Sequence, residues 1–325
     1  MINKKSLSLL LKFAIAFIAL YFLYNQFNSS LISNQLNQYN FLDTIQKKYL
    51  IIIIVFLMMF LNWILESIKW RFLIYKIEKV SLITSIRAVF SGITVSAFTP
   101  NRVGEYGGRV FCLDKANRIQ AVIITIIGSI SQLIITILFG SIGLICLPNI
   151  MPDFYVLFDS IEYAYSFSIF VLFFLNVIFI ILFLNTSMLS VFLSRIKVLQ
   201  KYQKYSIVFS FYTSKELFKV LLLSAFRYLV FTSQFFILLL VFGVSINYTV
   251  AMILISTMLL AISIIPSIAI TELGVRGSIA VFLFSLVSSN TAGIMSATFL
   301  MWIINLLIPS IIGVVFIFTL RFFRK

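Results

Sequence analysis

Apolar residues run in long blocks along this chain, at about residues 7–27, 49–69, 82–99, 119–147, 161–184, 219–243, 248–265 and 293–320. Block lengths cluster near the ~20 residues that a helix needs to cross a hydrocarbon core. Isolated polar residues interrupt them at Asn62, Gln132, Asn176, Gln234 and Asn305. Their expected role is interhelical hydrogen bonding, with cavity lining second. Two further stretches, 103–117 and 271–289, are neither clean spans nor ordinary loops.

Charge at the block ends decides which blocks cross. If 82–99 crossed, with the N-terminus inside, the loop 185–218 with Arg195, Lys197, Lys201, Lys204 and Lys215 would lie outside. The loop 148–162, with Asp153, Asp159 and Glu162, would lie inside. That inverts the retention of Lys and Arg on the cytoplasmic side. If 82–99 instead enters from the cytoplasm, breaks at Pro100 and returns through 103–117, both loops fall on the side the rule requires. The chain then re-enters from outside over 248–289, breaks at Pro266, and ends inside at Arg321, Arg324 and Lys325. Of 25 Lys and Arg, only Lys47 and Lys48 then lie outside, with Arg102, Arg109, Arg227 and Arg276 at membrane depth. The predicted fold is all-α and membrane-integral, with about six spanning helices and two re-entrant hairpins. Both termini are expected to be cytoplasmic, in an inner (plasma) membrane of the bacterial type.

The order span, span, hairpin, span then occurs twice in opposite orientation. Residues about 1–150 and 151–325 are therefore expected to be inverted-repeat halves of one membrane domain, an arrangement common in secondary transporters. Both hairpin tips carry the pattern E-x-G-x-R shortly after a proline: Glu105-Tyr106-Gly107-Gly108-Arg109 and Glu272-Leu273-Gly274-Val275-Arg276.

Composition narrows the chemistry. With 62% hydrophobic and 11% charged residues there is too little polar surface for a soluble domain. The net charge of +15 sits at the ends of apolar blocks, where it meets anionic lipid, and forms no basic stripe with interleaved aromatics. No nucleic-acid partner is expected. The absence of histidine removes histidine general bases, zinc sites and His-dependent nucleophile systems. Cys112 and Cys146 read as small buried apolar residues. No metal, cofactor or catalytic residue is expected. The first block, preceded by Lys4 and Lys5 and followed by no small-x-small site, reads as an uncleaved helix.

The tips carry the candidate chemistry. Pro100 lacks an amide hydrogen, and Gly104, Gly107 and Gly108 permit tight backbone, so the helix is expected to break there, with Pro266 and Gly274 marking the second break. Broken backbone at membrane depth persists only beside protein or a water-filled cavity. Arginine forks hold phosphate bidentately, so Arg102, Glu105, Arg109, Glu272 and Arg276 are the candidate substrate-binding residues. Each Glu could alternatively pair with the Arg four residues on and pin its tip. Arg102 is the strongest candidate anion ligand, since Glu105 is the one carboxylate in its own turn. Arg227 is expected to snorkel to the cytoplasmic face. Glu66 reads as an interfacial anchor paired with Lys69, beside Trp70 and Arg71. The stretch Lys201, Tyr202, Lys204, Tyr205 and Phe209 is expected to lie along the cytoplasmic interface.

The tip Pro100-Asn101-Arg102-Val103-Gly104-Glu105, followed by Arg109, resembles the lysylphosphatidylglycerol synthase transmembrane-region family, also called flippase-like proteins. Thr271-Glu272-Leu273-Gly274-Val275-Arg276-Gly277 is similar to that family's second signature, and the resemblance covers essentially the whole chain. In bifunctional members this region translocates an aminoacylated phospholipid made by a fused synthase domain. The sequence ends at Lys325 without one, so aminoacyl-lipid synthesis is not expected of it. The resemblance implies a flippase-like transporter of an amphiphile with a polar, phosphate-bearing headgroup, working by alternating access. Alternatives are a membrane-embedded enzyme or accessory subunit acting on a polyprenyl- or glycolipid-linked substrate, with Glu105 or Glu272 as acid/base, and a scaffold for a partner lipid-modifying enzyme.

Overall fold

Five of the described helices begin where a short polar side chain stands ahead of an apolar block. Ser81 accepts the amide of Thr84, Asn117 that of Ile119, Asn247 that of Thr249 and Asn290 that of Gly293. Thr213 and Glu216 form a reciprocal capping box. Such caps satisfy first-turn amides that no preceding turn can reach.

The computed structural model describes residues 7, 9–15, 17–18, 21, 41–99, 102–150, 164–187, 207–265, 269–318 and 320, with backbone alone at 164–165 and 269–272. The elements are α1 (Phe41–Lys47), α2 (Tyr49–Ile74), α3 (Leu82–Ser96), α4 (Gly104–Val110), α5 (Arg118–Cys146), α6 (Ala164–Leu184), α7 (Ser214–Val241), α8 (Tyr248–Ile264), α9 (Ala269–Phe284) and α10 (Thr291–Trp302). A π-helical turn, Ile303–Leu307, joins α10 to α11 (Ile308–Ile317). The acidic loop about Asp153, the basic stretch about Lys201, the prolines Pro100 and Pro266, and the terminal Arg321, Arg324 and Lys325 lie outside the described residues.

The fold is all-α, and no strand occurs among the described residues. Five helical stretches there are long and apolar enough to cross a membrane: Tyr49–Ile74, Arg118–Asn149, Ser166–Leu184, Ser214–Val241 and Thr291–Ile317. Of the expected first span, residues 9–15 are helical, and Lys12 Nζ donates to the Phe318 carbonyl at 2.7 Å. The helices α3 and α8, of 15 and 17 residues, are shorter. At 1.5 Å per residue they reach about 23 and 25 Å, below the ~30 Å of a hydrocarbon core. After α3 the chain reverses, and α4 packs back along it; α9 likewise packs against α8.

The antiparallel pair α2 and α7 forms the centre, with α5 and α10 against α7. Around it, α11 lies along α3 and α5 along α8. The two crossings share one construction. A Cβ added at Gly313 would collide with Thr94 Oγ1 and the Phe90 carbonyl, and one at Gly143 would stand 2.8 Å from Thr257 Oγ1 and 2.9 Å from the Ile253 carbonyl. In both, the threonine hydroxyl donates to the carbonyl four residues before it, and Thr94 also reaches the Ser310 carbonyl at 2.7 Å. Glycine lets the backbones approach, as at small-residue contacts between membrane helices.

The π-helical turn precedes Pro309, which has no amide hydrogen to continue the α ladder. It carries Asn305, whose Nδ2 donates to Gln234 Oε1 at 3.0 Å. Gln234 Nε2 in turn donates to the Val55 carbonyl at 2.8 Å. Asn176 bonds Ser141 Oγ at 2.9 Å. The isolated polar residues therefore do join helices.

Candidate functional site

The first hairpin tip combines close-packed glycines, a Cβ added at Gly104 standing 2.7 Å from the Val95 carbonyl, with an arginine in an unusual backbone conformation. Arg102 has φ of 57°, in the left-handed region, and Gly243 is the other described residue with positive φ. A non-glycine residue there costs on the order of 1–3 kcal/mol, and such strain concentrates at functional sites. Gly104 opens α4 with its amide held by Thr99 Oγ1 at 2.9 Å. Gly107 lies inside α4, where an added Cβ would make only an ordinary 3.8 Å contact with the Phe111 ring, and Gly274 inside α9, where it would meet nothing within 4 Å, so neither forms a break. Gly108 serves packing: its added Cβ would stand 2.7 Å from Gly92 Cα on α3.

That close approach buries Arg109, which is 2% exposed. Its guanidinium bridges two carboxylates, Glu105 one turn before it and Glu66 on α2, the latter at 2.8 Å. Glu66 is not an interfacial anchor. It is 4% exposed and receives three cations, each at 2.8 Å: Lys69, Arg109 and Arg227. Lys69 spends its remaining donors on the Gly128 carbonyl and Ser224 Oγ, at 3.1 and 3.3 Å. Buried charge of this kind persists only when paired, and each of these charges is, although Arg109 Nε is a buried donor without a hydrogen-bond partner among the described residues.

Arg227 does not snorkel. From α7 its Nη1 donates to Glu66 and its Nε to Asn62 Oδ1 at 3.0 Å, while the guanidinium lies 4.9 Å from the centre of the Trp63 ring. Asn62 Nδ2 faces Asn305 Oδ1 at 3.5 Å, linking this group to the π-helical turn.

Beside this network is a cavity of about 570 Å³. Arg102 from the first hairpin, Arg276 from the second and Arg227 from α7 line it, with Asn62, Gln132, Thr136, Tyr228 and Ser263. Its apolar wall is Leu133, Phe231, Leu259, Ile262, Ile264 and Ile265. No carboxylate is among the described lining residues. Two of the five residues expected at the site, Arg102 and Arg276, therefore meet in one cavity. Glu105 and Arg109 stand outside the lining, bound to each other, and the side chain of Glu272 lies outside the described residues.

Sequence reasoning missed Glu66 and Arg227 as partners. The available signal was Asn62, Glu66 and Lys69 at i, i+4 and i+7, a polar stripe on one face of an otherwise apolar helix. The arrangement can hold an anion between arginines from three elements, with apolar walls beside it. The family model that describes the lysylphosphatidylglycerol synthase TM region matches residues 9–313. No curated protein and no solved structure matches the chain.

Proposed function

We propose, on the premise that this chain belongs to the lysylphosphatidylglycerol synthase TM-region family, that it moves an amphiphile with a phosphate-bearing headgroup across the bilayer. The protein is a multi-pass membrane protein of a lipid-handling family. One observation carries the finer reading: Arg102, Arg227 and Arg276, from three separate elements, line a single cavity whose remaining lining is largely apolar. A guanidinium grips phosphate oxygens through paired N–H groups, and the low local dielectric strengthens that grip. The cavity volume is within the ~300–1,000 Å³ of small-molecule sites, which suits a headgroup and leaves acyl chains outside.

Alternating access supplies the mechanism. Arg102 and Arg276 belong to different hairpins, so rocking one half against the other alters their separation around the headgroup. The matching glycine–threonine crossings at Gly313–Thr94 and Gly143–Thr257 support an inverted repeat with halves about 1–150 and 151–325. The short α3 and α8 support re-entrant hairpins. On this reading both termini are cytoplasmic in a plasma membrane, the ligand is a membrane lipid, and no covalent bond is made or broken.

The test is lipid movement in phosphatidylcholine vesicles that contain the protein and a trace of head-labelled phosphatidylglycerol, read by quenching with external dithionite. Arg102→Gln and Arg276→Gln should each slow the movement at least about tenfold, since each removes a charge-assisted contact. Wild-type rates in both variants would sink the reading.

A further inference from the structure

We infer that Glu66 is an internal competitor for Arg227, holding that arginine ready while the cavity is empty and taking it back when a headgroup leaves. This rests on the headgroup reading of the cavity.

Charge balance in the buried cluster points to it. Glu66 and Glu105 are offset by Lys69 and Arg109, so Arg227 is the cation in excess of this group. Arg227 is also its one member that lines the cavity. If Arg227 shifted toward an anion, Glu66 would keep Lys69 and Arg109 and would not become an uncompensated buried charge. Lys69 is fixed by three acceptors and Arg109 by two carboxylates, whereas Arg227 has one carboxylate, the Asn62 amide oxygen and the face of the Trp63 ring. Arg227 is thus the least committed of the three cations, with a side chain 19% exposed against 1% for Lys69 and 3% for Arg109.

A transport site has to release what it binds. Three arginines with no rival anion would retain a phosphate; a carboxylate 2.8 Å from one of them lowers the affinity by the interaction that binding must displace or share. Glu66 is therefore a positioning residue. It orients Arg227, with Asn62, and sets how firmly the headgroup is held. Because Glu66 also grips Arg109 on the first hairpin, the same carboxylate links cavity occupancy to that hairpin's seating on α2.

The prediction separates binding from turnover. Binding of phosphatidylglycerol to detergent-solubilised protein is measured by titration, and movement of its head-labelled form by the vesicle assay. Glu66→Gln, and Glu66→Gln with Lys69→Met, which restores the net charge of the cluster and guards against misfolding, should bind about tenfold tighter and move the lipid more slowly. Glu66→Asp, a carboxylate drawn back by one methylene, should fall between. Weaker or unchanged binding in folded double variant would overturn the inference while leaving the cavity reading intact. Failure of the wild type to bind phosphatidylglycerol, or equal binding by wild type and Arg227→Gln, would overturn it together with the role of Arg227 in the cavity.

Discussion

Gly108 on α4 lies against Gly92 on α3 so closely that a Cβ added to Gly108 would also stand 2.8 Å from the Ser91 carbonyl. This contact seats the returning arm of the first hairpin and brings Arg109 within reach of Glu66. Backbone, not a flexible side chain, opposes any added atom. Gly108→Ala is expected to destabilise the protein by about 1–3 kcal/mol, the usual cost of overpacking. Thermal unfolding in detergent checks this. A variant as stable as wild type would mean that the two arms separate freely.

Arg102 and Arg109 should respond differently to the same substitution. Arg109 is buried and held by two carboxylates, so Arg109→Gln leaves Glu66 and Glu105 short of a partner and should cost about 3–5 kcal/mol of stability. Arg102 lines the cavity. Arg102→Lys removes the planar fork and should weaken phosphatidylglycerol binding roughly ten- to a hundredfold with stability nearly kept. Stability and lipid affinity measured on both purified variants decide the matter. A loss of affinity without loss of stability in Arg109→Gln would place Arg109 in the site.

Topology is tested through exposed loop positions. In a background without Cys112 and Cys146, Lys115→Cys should react with an impermeant thiol reagent from the cytoplasmic side, and Ser289→Cys from the other. Both positions are exposed, which makes accessibility a matter of side rather than packing. Labelling of both from one side would refute the opposed hairpins.

Much of the fold was legible in the sequence because hydrophobic run length and charge placement act locally. Apolar blocks at 49–69, 119–147 and 219–243 became α2, α5 and α7 within a few residues, and the ambiguous stretches 103–117 and 271–289 became the helices α4 and α9. A bilayer leaves the backbone little choice but helix, so length alone says much. The all-α membrane class, the family, and Arg102 and Arg276 as notable cations all follow from the linear pattern. Partnership does not. Glu66 and Lys69 are three residues apart and pair by helical spacing alone, but Arg227 is 161 residues from Glu66 and Arg109 is 43. Only the packing of α4 and α7 on α2 decides that three cations share one carboxylate, that Arg109 is spent on it, and that Arg227 is left at the cavity wall. Charge placement along a chain reports which side of a membrane a residue prefers; which opposite charge it meets depends on helix contacts that sequence spacing does not encode.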